Sequence, residues 1–492
     1  MKSSPQPLRK YLLHKSLANV VHTRAKRSAA ALFAIALTAP VLHAEVASTS
    51  TEAHSSSMLS DWWNGKYMTG NWFGLRDTLK DNGLTFSGRY YGAFFGVVDS
   101  QGGSRGFWDQ GLEFGSELNF GKALRVENLE GLKAFGLVRW RDDREEADPN
   151  KFVHASSMFN PSNWISGVQW RLMTFGLEYK TGDLLPVKDM ISLRGGWLMP
   201  QREFIDQPLS KLFLNTAVNS SKGIGGNIPF SSSFSTWGGT LQIKPVEWHY
   251  AKVGLFMAYP QATASTNHGL AMRGFGPDPS KNGLMVMGEL GFTPKIGPSK
   301  LPGKYAFGSY FWGNERNSFN GSSHYGQYGF YWQADQMIFR EPSPAVEEPV
   351  PPSGKNIVDS KSFKTPVSTA KPKLSDQGLS IFNLFSFAPK YNNLFPFYFH
   401  SGLVYKGLIP GRDEDQTMFS LALGSYSYYS NLARRQRGRD WQDYTMLLEF
   451  GYRFQINEWA FLQPFAQYVI RPNGTDNVAN ATILGFATGV TF

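Results

Sequence analysis

The segment Leu484–Phe492 alternates almost without fault. Leu484, Phe486, Thr488, Val490 and Phe492 take the even positions, and Gly485, Ala487, Gly489 and Thr491 the odd ones. Successive side chains of a strand point to opposite faces, so this pattern makes a strand with one apolar face. Met446–Phe454 repeats it: Met446, Leu448, Phe450, Tyr452 and Phe454 share one face, and Glu449 and Arg453 the other. In Leu462–Arg471 the polar side chains Gln463, Gln467 and Arg471 all fall on odd positions. A tight turn, Ile456–Trp459, joins the last two of these segments, and a longer polar loop, Pro472–Asp476, follows. The same alternation of short turns and long loops, read backwards to residue 83, predicts about sixteen strands between 83–97 and 481–492.

Such strands need an apolar surrounding on one side and water on the other. The chain has no long apolar run and a mean hydropathy of −0.31, yet 15% of it is aromatic and it holds 50 glycines. Lumen-facing polar and lipid-facing apolar residues that alternate would average out in this way. Aromatics gather at segment ends, in Tyr305–Trp312, Tyr325–Trp332 and Tyr426–Tyr429, as interface girdles do. The expected fold class is therefore all-β: a transmembrane antiparallel β-barrel with a short periplasmic helix at its N-terminal side. A large soluble β-protein would share the composition. A barrel of this size leaves an aqueous channel.

The two ends favour the barrel. Residues 1–27 carry seven basic residues and no acidic one, followed by the apolar run Ala29–Ala39, Pro40 and the small Ala44. This is the plan of a secretory signal peptide, expected over 1–44, with an organellar transit peptide as the competing reading. A periplasmic segment is expected over 45–82 and the barrel over 83–492. The last strand, closing on Phe492, is similar to those of bacterial outer-membrane barrels, whose final aromatic is read by the barrel assembly machinery. The leader holds seven of the 49 basic residues, so the remainder has 42 against 39 acidic. The high isoelectric point is thus mostly the leader's and does not argue for nucleic acid.

Two insertions interrupt the rhythm. Residues 205–233, rich in Asn, Ser and Gly, are expected either to fold into the lumen and narrow it or to form a surface loop. Residues 341–376, dense in proline, are expected to be an extended, disordered periplasmic linker, either a plain tether or a segment that docks a periplasmic partner or the cell wall. The acidic run Asp142–Asp148 would lie on the outer rim, either solvated or bridging divalent cations to lipopolysaccharide.

The chain has no cysteine, which excludes disulfides, thiolate metal sites and thiol nucleophiles. It also has no G-x-S-x-G, H-E-x-x-H, P-loop or complete G-x-G-x-x-G, and its six histidines beyond the leader are not at metal-ligand spacing. No cofactor and no enzymatic activity are expected, although a barrel enzyme with dispersed residues would escape such motifs. Inward parity instead collects Arg89, Glu113, Glu117, Arg139, Arg141, Arg171, Asp335, Glu449, Arg453, Gln463 and Gln467. A charge facing lipid at the midplane costs about 2–4 kcal/mol, so these are expected to line a channel. Opposed rows of basic and acidic residues there would order water and polar solutes.

The stretch Thr69-Gly70-Asn71-Trp72-Phe73-Gly74-Leu75-Arg76-Asp77, with a helical turn to follow, resembles the opening signature of the carbohydrate-selective porin (OprB-type) family. Phe213–Asn215, Gln333–Gln336, Gly407–Asp415 and Leu448–Pro472 extend the resemblance over residues 60–492. The long proline-rich insertion departs from the family, as does Trp197, where a basic residue is expected. The resemblance implies an outer-membrane monomer or homotrimer that passes small carbohydrates such as glucose. A less selective porin and a structural or adhesive barrel are the alternatives.

Overall fold

A computed structural model describes residues 60–141, 148–163, 170–220, 224, 227, 235–258, 283–342 and 375–492. The predicted leader, residues 142–147 of the acidic run and most of the proline-rich insertion lie outside the described residues.

The wall is a meander of antiparallel strands: β1 (Leu84–Asp99), β2 (Arg105–Asn119), β3 (Leu132–Arg141), β4 (Trp170–Lys180), β5 (Ile191–Leu198), β6 (Thr236–Val246), β7 (His249–Ala258), β8 (Gly283–Phe292), β9 (Leu301–Asn317), β10 (Ser323–Arg340), β11 (Gly378–Phe387), β12 (Phe397–Lys406), β13 (Gln416–Ser425), β14 (Tyr444–Asn457), β15 (Ala460–Ile470) and β16 (Ala481–Thr491). A two-residue bridge, Lys295–Ile296, extends the β8–β9 turn. Each strand pairs with its sequence neighbours, and β1 pairs with both β2 and β16, from Arg89↔Thr491 to Asp99↔Thr482. The sheet is therefore closed and has no free edge, as a bilayer demands of backbone N–H and C=O groups.

Period 2 sets the faces. On β7, Val253 and Leu255 are exposed on the outside while Gly254 and Phe256 are buried inside. Inward glycines accept aromatic rings from the neighbouring strand. Tyr331 covers its register partner Gly308, and Tyr310 covers Gly329, so each ring fills the space where a β-carbon would sit.

Before β1, the helix α1 (Leu75–Asp81) follows Gly74, whose φ of 89° only glycine adopts freely. Asp77 in its first turn and Lys80 in its last suit the helix dipole. Arg76 stacks on Tyr67 and Trp72, with its Cζ 3.8 and 4.3 Å from the ring centres, and donates to Thr69 Oγ1 at 3.3 Å. Asn71 donates to Asp77 Oδ2 at 2.5 Å, and Gly70 turns the chain with φ 62°. The whole signature is thus a self-contained knot at the base of the barrel, tied to the wall by Met68 N–H donating to Thr491 O at 2.8 Å.

The loops depart from expectation at Tyr428–Tyr429 and realise one of the two readings of residues 205–233. Tyr428 and Tyr429 are not girdle residues on β13; they begin a helix, α2 (Tyr428–Gln436), capped by Ser427. The interior is also not all water. The described part of the 205–233 segment enters the lumen and packs Ile205, Phe213, Leu214, Ala217 and Val218 against inward wall residues such as Phe95, Phe256 and Phe382. Val153, Met158 and Phe159 of the β3–β4 loop join the same core. The two loops interlock through backbone bonds, Asn163 N–H to Leu214 O at 2.9 Å and Thr216 N–H to Asn160 O at 3.0 Å.

Candidate functional site

One row of side chains crosses four strands. Register places Arg89 opposite Glu113, Glu113 opposite Arg139, and Arg139 opposite Arg171. Glu113 holds two of these together: Arg89 Nη2 donates to Oε2 at 3.0 Å and Arg139 Nε to Oε1 at 2.5 Å. A carboxylate between two guanidiniums is the arrangement that offsets the cost of taking the buried Arg139 out of water. Arg453 approaches from β14, with its guanidinium 4.1 Å from the Phe461 ring centre and its Nε donating to Gln463 Oε1 at 2.9 Å.

The infolded loop supplies the rest. Pro200 starts a short helix, α3 (Pro200–Phe204), that swings Arg202 to 3.9 Å from Glu113. Lys211 follows on the next turn of the loop. Burial within the protein, and then the repulsion of nearby cations, lower Arg202 to about 10, with Glu113 opposing. Burial and then Arg202 lower Lys211 to about 8. Both residues nonetheless remain exposed.

These groups surround a cavity of about 410 Å³. Among the described residues, six cations (Arg89, Arg139, Arg141, Arg202, Lys211 and Arg453) face two carboxylates (Glu113 and Asp206), with Tyr91 and Phe461 as aromatic neighbours. The charges are interleaved with a basic excess rather than set in opposed rows. A second cavity of about 380 Å³ shares Arg202 and Asp206 with the first. In it, Glu203 lies 3.4 Å from Arg194 and 3.7 Å from Lys252, and Asp206 lies 3.6 Å from Lys304.

Of the residues predicted from parity, Arg89, Glu113, Arg139, Arg141, Arg453 and Gln463 line the first cavity. Arg171 is buried beside Arg139 without lining it. Glu117 is exposed further down β2, 3.7 Å from Lys133. Asp335 sits opposite Lys304 in a separate cavity against Leu209 and Gln336. Glu449 and Gln467 point inward as parity requires but are buried under the loop. Trp197 packs edge-on against Trp237, 5.7 Å between centres, and lines neither cavity. Reading the sequence missed Arg202, Asp206 and Lys211, which lie beyond the reach of strand parity. It also missed Arg194, Lys252 and Lys304, which a stricter use of parity would have found.

Known proteins fit this architecture. The chain is 24% identical to Porin B of Pseudomonas aeruginosa over 488 residues, covering 89% of this chain and 94% of that protein. A high-pH structure of Pseudomonas putida OprB superposes with a TM-score of 0.72 at 21% identity, over 87% of this chain and 99% of the other. A low-pH structure of the same protein gives 0.50 at 17% identity, with the same coverage. The sequence profile of the family described as carbohydrate-selective porin, OprB family, matches residues 150–492. With a closed barrel of sixteen long strands and a polar cavity inside it, the chain belongs to the carbohydrate-selective porin family of the bacterial outer membrane.

Proposed function

We propose that the cavity between β1–β3, β14–β15 and the infolded loop is the selective constriction, and that it passes monosaccharides such as glucose down their gradient. The observation that carries this reading is the guanidinium row of Arg89, Arg202 and Arg453 beside Phe461, all open to the cavity. Guanidinium forks donate to hydroxyl oxygens from fixed positions, and aromatic faces take the apolar face of a sugar ring. Such contacts replace hydration one hydroxyl at a time, so binding permits both entry and exit. No cofactor, energy source or catalysed reaction enters this scheme. Residues 1–44 act as the cleaved leader, the proline-rich insertion as a periplasmic tether, and lipopolysaccharide as the outer-leaflet neighbour of a monomer or homotrimer.

The excess of cations over carboxylates favours a second reading, a general channel with a preference for small anions. Single-channel conductance of the refolded protein, titrated with glucose, separates the two. Saturable block by glucose supports the sugar passage, whereas open steps indifferent to sugar leave only the anion channel.

A further inference from the structure

Glu449 is a carboxylate in an unusual place. It lies on β14, faces inward, and is 1% exposed. Both its oxygens accept from the backbone of the infolded loop: Leu214 N–H donates to Oε1 at 2.7 Å and Asn215 N–H to Oε2 at 3.0 Å. The neighbouring glutamines of β15 take the same loop. Gln463 donates to Leu212 O at 2.9 Å, and Gln467 accepts from Asn215 Nδ2 at 3.2 Å while donating to Pro161 O at 3.1 Å on the other loop. Gln463 in turn accepts from Arg453, which lines the cavity.

We infer that Glu449 is a positioning residue for sugar selectivity: its two oxygens lock the backbone at Leu214–Asn215 and so fix where Lys211 stands against the guanidinium row. This rests on the reading of that cavity as the sugar passage. Glu449 does not line the cavity; it acts through the loop. Burying a carboxylate is costly unless donors meet it, and here the donors are main-chain groups that no side-chain rotation can withdraw. A two-pronged acceptor is required because two successive N–H groups converge on it. Glutamine offers one carbonyl oxygen, and its amide N–H₂ would face the second donor. Gln207 anchors the loop's other half, donating to Asn383 O at 2.8 Å, so loss of Glu449 frees the Lys211–Asn215 stretch and not the whole loop.

The test compares wild type, Glu449→Gln and Glu449→Leu in planar bilayers, after each is shown to give a folded, heat-modifiable barrel on gels. Expected for Glu449→Leu is a rise in open-channel current noise and at least a tenfold rise in the glucose concentration that half-blocks current, with Glu449→Gln between it and wild type. Noise and half-blocking concentration in Glu449→Leu within twofold of wild type would overturn the inference. Where Glu449→Leu does not fold, Asn215→Pro is compared with Asn215→Ala. Residue 215 already has φ −66°, so proline removes the N–H that Glu449 accepts with little change of conformation at that residue. A larger shift in Asn215→Pro than in Asn215→Ala is expected, and equal shifts would overturn the inference. Absence of glucose block in wild type defeats the sugar reading itself, and the noise comparison then still decides whether Glu449 holds the loop.

Discussion

Glu113→Gln should make the channel more anion-selective while leaving the barrel intact. The substitution keeps the shape of the side chain and one acceptor oxygen, so Arg139 Nε retains a partner. It removes one of two negative charges facing six positive ones. An anion passing about 4 Å away no longer meets a repulsion of ~1 kcal/mol at the dielectric constant of water, and more where the lumen wall lowers it. A factor of about five in the anion-to-cation permeability ratio follows from ~1 kcal/mol alone. The assay is the reversal potential across a salt gradient, measured near 0.1 M and again near 1 M. At the lower salt the Debye length is about 10 Å and the charge is felt across the cavity; at the higher it is about 3 Å and the effect should shrink. An unchanged ratio at low salt, or an equal change at both, would refute the electrostatic account of the row.

Lys211, lowered to about 8 by burial and then by Arg202, is charged below that pH and neutral above it, so anion preference should fall between pH 7 and pH 9. Lys211→Met should flatten that part of the reversal-potential profile. At the β12–β13 turn, Asp415 accepts from Arg412 Nε and Nη2, each at 2.8 Å, from Tyr452 at 2.8 Å and from Gln455 N–H at 2.9 Å. Burial opposes these bonds, but together they hold its carboxyl below the usual carboxylate range. A depressed carboxylate stabilises the fold above its unfolded pKa, and the contribution is lost as pH falls through the folded one. Asp415→Asn should therefore cost roughly 1 kcal/mol near pH 7, after screening at the rim, and much less in strong acid, as read from thermal unfolding in detergent. Gly308→Val and Gly329→Val should each abolish the folded gel band, because Tyr331 and Tyr310 occupy the space for the new side chain; a normal band from either would sink that packing account.

The wall was legible because alternation and turn length are local. Leu484–Phe492 and Met446–Phe454 announce their faces without reference to anything distant. Parity also put Glu113 and Arg139 on one side of the sheet. It could not say what covers a residue, and so Glu449 and Gln467 looked like channel lining when they are loop anchors. The loop's path was hidden for a related reason. It is fixed by partners far along the chain, such as Gln207 with Asn383 and His400, and by apolar residues scattered through a polar stretch, Phe213, Leu214 and Val218. Arg202 and Lys211 ride on that path, and nothing in their own spacing marks them.

The pairing of β1 with β16 sets an order of events. Every other seam in the wall joins neighbours in sequence and can form as a hairpin, at low cost in loop entropy. The final seam joins Arg89 to Thr491, residues separated by nearly the whole sheet, and cannot form until the strands between them are in register. Until that moment two unpaired edges face the bilayer, which tolerates neither. Closure should therefore be the slow, all-or-none step of assembly, and defects in any one hairpin should show up as a barrel that never seals rather than one that seals loosely.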